Sequence, residues 1–113
     1  MKRTLLAFAI TTMSLSVTSS KVDAQDITMG ASYTCAGWAE ARDTPMKDLI
    51  SEYWLVGLMN GLALGSGKDF WANIEQNQLV FWMDRYCDNN PLGNTVIGAV
   101  DLMRERFGNG WAN

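Results

Sequence analysis

Apolar positions along the chain form one short continuous run, then four stretches in which hydrophobic residues return every three or four positions. Cys35, Trp38, Ala39 and Arg42 share one side of a helix, so residues 33–42 are predicted to open the fold. Thr44-Pro45 supplies an N-cap followed by proline at the first helical position, where its missing N–H costs nothing. From 45 to 64, Leu49, Ile50, Tyr53, Trp54, Leu58 and Leu62 recur with the helical period and predict a long helix carrying that stripe; Ser66-Gly67 ends it. Asn73 with Gln76 three residues later has the form of a capping box, and it leads into Leu79, Trp82, Met83 and Tyr86, with Cys87 on the last turn. Asp88-Asn89-Asn90-Pro91 breaks that helix, with Asn90 the expected next N-cap and Pro91 at N1. Val96, Ile97, Val100, Met103 and Phe107 form the final stripe, closed by Gly108. No stretch alternates as a strand would. The pattern predicts an all-α protein, a small four-helix bundle in a single domain over residues 33–113.

The earlier apolar run changes the picture of where the chain works. Met1-Lys2-Arg3 is positively charged, and residues 4–17 hold Leu5, Leu6, Ala7, Phe8, Ala9, Ile10 and Leu15. As a helix that run rises about 21 Å, short of a ~30 Å hydrocarbon core. Val22-Asp23-Ala24 then places small side chains at −3 and −1. Residues 1–24 are expected to be a signal peptide cleaved after Ala24, giving a periplasmic protein with no stable membrane insertion. Residues 25–32, polar and without pattern, are expected to form a mobile leader.

Two cysteines remain after that cleavage, Cys35 and Cys87, and they allow one intramolecular pairing. In an oxidising compartment the expectation is a disulfide stapling the first helix to the third. A redox-active thiol is the other reading, but the C-x-x-C spacing and a nearby His or Lys are lacking. Charge narrows the function classes further. Residues 25–113 carry six basic and eleven acidic side chains, a net −5, which argues against a nucleic-acid footprint. With no His and two Cys the usual zinc sites cannot be built, and no cofactor or metal is expected.

Gly57, Gly61 and Gly65 fall at i, i+4 and i+8 on one face of the long helix. Each glycine costs about 1 kcal/mol against alanine in a helix interior, so three together need a reason. The expectation is a helix-packing groove onto which another helix or an aromatic ring closes within the molecule; a homodimer or partner groove is the alternative. Lys47, Asp48, Glu52, Asn60 and Lys68 on the same segment exclude a membrane face. The acids form four neighbouring sets: Glu40 with Asp43, Asp48 with Glu52, Asp84 with Asp88, and Asp101 with Glu105. Arg42, Arg85, Arg104 and Arg106 lie near them in sequence, which reads as solvated surface pairing and not as a catalytic pair of carboxyls. No enzymatic activity is expected. Trp71 and Trp111 lie outside the main stripes and are candidate exposed anchors, although Trp111 has the alternative of folding back on the bundle.

Tyr33-Thr34-Cys35 with Trp38, the string 54–61 (Trp-Leu-Val-Gly-Leu-Met-Asn-Gly), then Trp82-Met83-Asp84-Arg85-Tyr86-Cys87 and Asn90-Pro91 together resemble a known pattern. It is similar to the HdeA-like small periplasmic helical proteins, especially the Rap/Tai group of type VI secretion immunity proteins, over residues 33–107. The resemblance implies a non-enzymatic protein-binding module, with an immunity-type inhibitor of a secreted toxin or effector as the leading reading. An accessory or killing-related protein of a conjugative transfer system, or an acid-stress chaperone of the HdeA type, are the alternatives. The chaperone's basic ends are missing here, since Lys47 and Lys68 are the only lysines after the signal. The implied partner is a protein: an effector, a client or a secretion component. No contact residue carries over, so the partner-binding residues stay unassigned.

Overall fold

A computed structural model describes residues 33–113; the expected signal peptide (1–24) and leader (25–32) lie outside the described residues. The described chain is all-α, with α1 Cys35–Ala41, α2 Pro45–Ser66, α3 Gln76–Asn89 and α4 Thr95–Phe107. α1 packs on α2 and α3, and α4 packs on α3 and α2. Among the described residues no helix is long and apolar enough to cross a membrane.

α1, α3 and α4 start where a side chain satisfies free N–H groups, whereas Thr44 at the start of α2 makes no side-chain cap bond. The Thr34 hydroxyl accepts from Gly37 N–H at 3.0 Å and opens α1. Proline at the first position opens α2, and left-handed Gly67 (φ 70°) closes it. The capping box of α3 is built by Glu75 and Gln78, not by Asn73 and Gln76: Gln78 Oε1 accepts from Glu75 N–H at 2.8 Å, while Asn73 sits at φ 61° in the preceding turn. α4 is capped by Asn94, whose side chain accepts from Val96 N–H at 2.8 Å. Asn90 and Pro91 therefore belong to the connection, not to the start of α4. That connection is fixed by the beginning of the domain. Cys35 N–H donates to Gly93 O at 2.9 Å, and the Thr95 N–H and hydroxyl both donate to Tyr33 O, at 2.9 and 2.7 Å.

Cys35 and Cys87 are disulfide-bonded, with Cα atoms 4.9 Å apart at a sequence separation of 52. The bond ties α1 to the last turn of α3, as the residue count predicts. Around it lies the core: Trp38 from α1, Leu55 and Met59 from α2, Leu79 and Met83 from α3, Ala99 and Met103 from α4, with Phe70 from the α2–α3 connection. Arg106 holds that connection down, donating to the carbonyls of Phe70 and Ala72 while its guanidinium lies 5.3 Å over the Phe70 ring.

The orientation of α2 corrects the expected stripe. Its fully buried residues are Ser51, Leu55 and Met59; of the expected stripe, Trp54, Leu58 and Leu62 pack against the core, whereas Leu49, Ile50 and Tyr53 are exposed. α2 carries apolar residues on nearly every side, so periodicity fixes the helix but not the side that turns inward. α1 and α4 make that choice.

Candidate functional site

Arg42 caps α1 and is the point at which α1, α2 and α3 meet electrostatically. Its Nη1 lies 2.9 Å from Asp48 Oδ1 and 3.2 Å from Glu52 Oε1 on α2, and its Nη2 lies 3.1 Å from Asp84 Oδ2 on α3. The Asp48 contact is an ion pair without hydrogen-bond geometry, since the buried Oδ1 accepts no hydrogen bond. The guanidinium sits 5.8 Å over the Trp38 ring, and the Trp38 indole N–H donates to Asp84 Oδ1 at 2.8 Å. Gln76 Nε2 donates to Glu52 Oε2 at 3.4 Å. Both oxygens of Asp84 and both of Glu52 are thus engaged.

Expected as local surface pairs, these acids instead converge on one arginine from two other helices. The i, i+4 spacing of Asp48 and Glu52 put them on one face, which was legible. Their meeting with Asp84 depends on how α2 and α3 flank α1, which local spacing does not encode. The remaining acids divide. Asp101 pairs with Arg104 one turn on, and Glu105 accepts from the Trp82 indole N–H at 3.1 Å. Glu40, Asp43 and Asp88 are exposed.

Two clefts flank the Arg42–Asp84 pair. One, about 530 Å³, lies between α1 and α3 and is bordered by Ala36, Ala39, Arg42, Asp84 and Asp88, with the disulfide behind it. The other, about 440 Å³, is bordered by Arg42, Glu52, Gln76, Val80, Phe81 and Asp84. Glu52, Asp84 and Asp88 line these clefts against a single cation, and Asp48 also draws on that cation's charge. The face is therefore negative. At its edge stands Phe81, 62% exposed, with the Arg85 guanidinium 5.9 Å over its ring. Chemically the arrangement offers an acidic, partly apolar surface for a basic partner. Among the described residues no three His, Cys, Asp or Glu side chains are placed to hold a metal ion.

The expected tryptophan anchors are placed differently. Trp111 is buried, folded back against the core. Trp71 is half-buried, its indole N–H donating to Asn60 Oδ1 at 2.6 Å and its ring edge-on to Phe70. Phe81 on α3, like Tyr53 on α2, is an exposed aromatic that the tryptophan reading misses. Its signal is the run 79–83 (Leu-Val-Phe-Trp-Met), longer than one helix face can bury.

The glycine face is also corrected. A Cβ built on Gly57, Gly61 or Gly65 meets nothing within 4 Å, so no described helix or ring closes on it. The close approach is at Gly98 of α4, where a Cβ would come within 2.7 Å of the Tyr86 ring and 3.0 Å of the Met83 sulfur. Burial raises the Tyr86 phenol above its ordinary pKa of 10.0, and nearby Asp101 adds to the shift. With no described atom within 4 Å of a Cβ at position 61, Gly61→Ala should raise the monomer's stability by about 0.5–1 kcal/mol through helix propensity alone. Urea unfolding at low protein concentration measures this, and a loss of stability would mean the face is covered.

No family model matches the chain, and no curated protein or solved structure matches it.

Proposed function

We propose that this chain is an exported, non-enzymatic protein-binding module of the immunity type, which holds a basic secreted effector against its α1–α3 face. The observation that carries the reading is the acidic surface around Arg42: three carboxylates line the two clefts against one guanidinium, with Phe81 and the Arg85 guanidinium over it at the edge. Such a field steers a basic partner and fixes its orientation, and an exposed aromatic supplies the apolar anchor that affinity needs. Arg42, Trp38 and Gln76 hold the Glu52 and Asp84 carboxylates in fixed orientations, which supports a preorganised acidic surface for a partner. The Cys35–Cys87 bond fits an oxidising compartment, and with residues 1–24 read as an export signal it supports a periplasmic location.

The test is retention of one protein by the immobilised chain, at pH 7, from the periplasm of a strain that encodes it. Asp88→Lys reverses an exposed charge outside the Arg42 network, so it should leave folding intact and weaken retention by roughly tenfold, chiefly through slower association. An effector as the retained protein supports the reading; a component of a transfer apparatus moves the role to conjugation. Strong suppression of client aggregation at about pH 2–3, with nothing retained at pH 7, replaces it with the acid-stress chaperone.

A further inference from the structure

Asparagine precedes glycine twice in this chain, at Asn60-Gly61 and at Asn109-Gly110. Such a pair has a chemistry of its own, because a glycine has no Cβ to keep its nitrogen from the preceding side chain. The fold treats the two pairs oppositely. Asn60 and Gly61 lie in the interior of α2, where the helical ladder fixes the backbone and engages the glycine N–H. The Asn60 amide is held as well, since its Oδ1 accepts from the Trp71 indole N–H at 2.6 Å. Asn109 and Gly110 are both exposed, at the centre of the turn that Trp111 N–H closes on Gly108 O at 3.3 Å. Among the described residues the Gly110 N–H has no acceptor, and Asn109 has glycine on both sides. The residue that follows the pair, Trp111, is buried in the core.

We infer that Asn109 is a site of spontaneous deamidation whose isoaspartyl product releases Trp111 from the core, while the fold protects Asn60. Loss of the Gly110 amide proton to hydroxide lets that nitrogen attack Asn109 Cγ. A bond from the nitrogen to Cγ forms, the Cγ–Nδ2 bond breaks, and Nδ2 takes up a proton and leaves as ammonia. Water then opens the resulting five-membered succinimide at one of its two carbonyls. Attack at Cγ gives aspartate on the original backbone. Attack at the main-chain carbonyl gives isoaspartate, in which the chain runs through Cβ and Cγ. Either way one water is consumed, one ammonia is lost, and a carboxylate replaces an amide. The isoaspartyl product carries an extra backbone atom inside a turn of four residues, which has no slack to absorb it. Trp111 closes that turn, so the displacement falls on the indole. At Asn60 the same reaction needs several residues of α2 to leave the ladder together, and the Trp71 bond to break.

Peptide mapping by mass spectrometry, on the folded protein held for days at mildly alkaline pH, reads each asparagine separately. The expected result is a mass gain matching NH replaced by O at Asn109, at least about tenfold faster than at Asn60, which reacts only through local opening. Isoaspartate should be among the products, and the rate should rise with pH. In denaturing urea the two sites should react at similar rates, because the protection of Asn60 belongs to the fold. Gly110→Ala should slow the reaction at Asn109 by about tenfold or more. It should leave the turn intact, since a Cβ there meets nothing closer than Asn113 Nδ2 at 3.6 Å. The isoaspartyl form, separated by its added charge, should show Trp111 oxidised faster in hydroxyl-radical footprinting than in the parent. Equal rates at the two sites in the folded protein, or an unreacted Asn109, overturn the site. An isoaspartyl form whose Trp111 stays as protected as in the parent overturns the release. None of these readouts involves the α1–α3 face, so the effector-binding reading stands or falls separately.

Discussion

Replacing Cys35 and Cys87 together with alanine should lower the unfolding free energy by about 4 kcal/mol, the chain-entropy value for a loop of this size. The closed loop, with its ends 52 positions apart, holds all of α2 and nearly all of α3. α1 has seven residues and is far too short to be helical on its own, so its packing on α2 and α3 and the bond are what hold it. Its hold on the domain includes the disulfide, the buried Trp38 and Ala41 side chains, the Arg42 ion pairs and two short tethers to the loop before α4. A domain this small has a total stability of about 5–15 kcal/mol, so the loss is a large share of it. The double replacement avoids leaving one buried thiol without its mate. Urea unfolding with and without the bond gives the difference, and amide exchange should show α1 opening first. A midpoint unchanged by the replacement would mean that packing of Trp38 alone holds α1, and that the bond is incidental to stability.

The elements themselves are legible in the sequence because their signals are local. Thr44-Pro45, Gly67 and Gly108 end or begin helices by their own backbone preferences, and all three act where the pattern puts them. Where two candidates compete, local chemistry does not decide. Asn90-Pro91 has the form of a helix start as much as Asn94-Thr95 does; the choice falls to Asn94 because Gly93 and Thr95 are engaged by Tyr33 and Cys35, more than fifty positions away in sequence. The same limit governs the site. Spacing puts Asp48 and Glu52 on one face of α2, but nothing local says that Arg42 of α1 and Asp84 of α3 lie on that side. In α2, apolar residues all round the helix leave the inward direction to be set by its neighbours, and Ser51, a polar residue, ends up fully buried while Leu64 faces outward.

That lesson is sharpest for the glycines, and it gives a large and opposite pair of expected effects. Gly98→Leu should destabilise the protein by about 3 kcal/mol, while Gly61→Leu should leave the monomer as stable as the parent or slightly more so. At Gly98 the obstacle is the Tyr86 ring, 2.7 and 2.8 Å from an ideal Cβ, with Met83 sulfur at 3.0 Å. A flexible side chain could swing away, but this ring is restrained. Tyr86 stacks on Trp82 at 5.5 Å with the planes 9° apart, and Trp82 is anchored in turn by its N–H to Glu105 of α4. Met83 is fully buried and has no free volume to move into. A leucine at 98 therefore pushes α4 off α3, whereas at 61 its Cβ meets no described atom within 4 Å. Combining Gly98→Leu with Tyr86→Ala tests the mechanism itself. If the ring is the obstacle, the cost of the leucine should shrink by more than about 1 kcal/mol in the double-mutant cycle. Additive losses would place the strain elsewhere, in the backbone of α4 or at Met83, and a Gly98→Leu protein that melts at the parent's temperature would refute the close approach altogether.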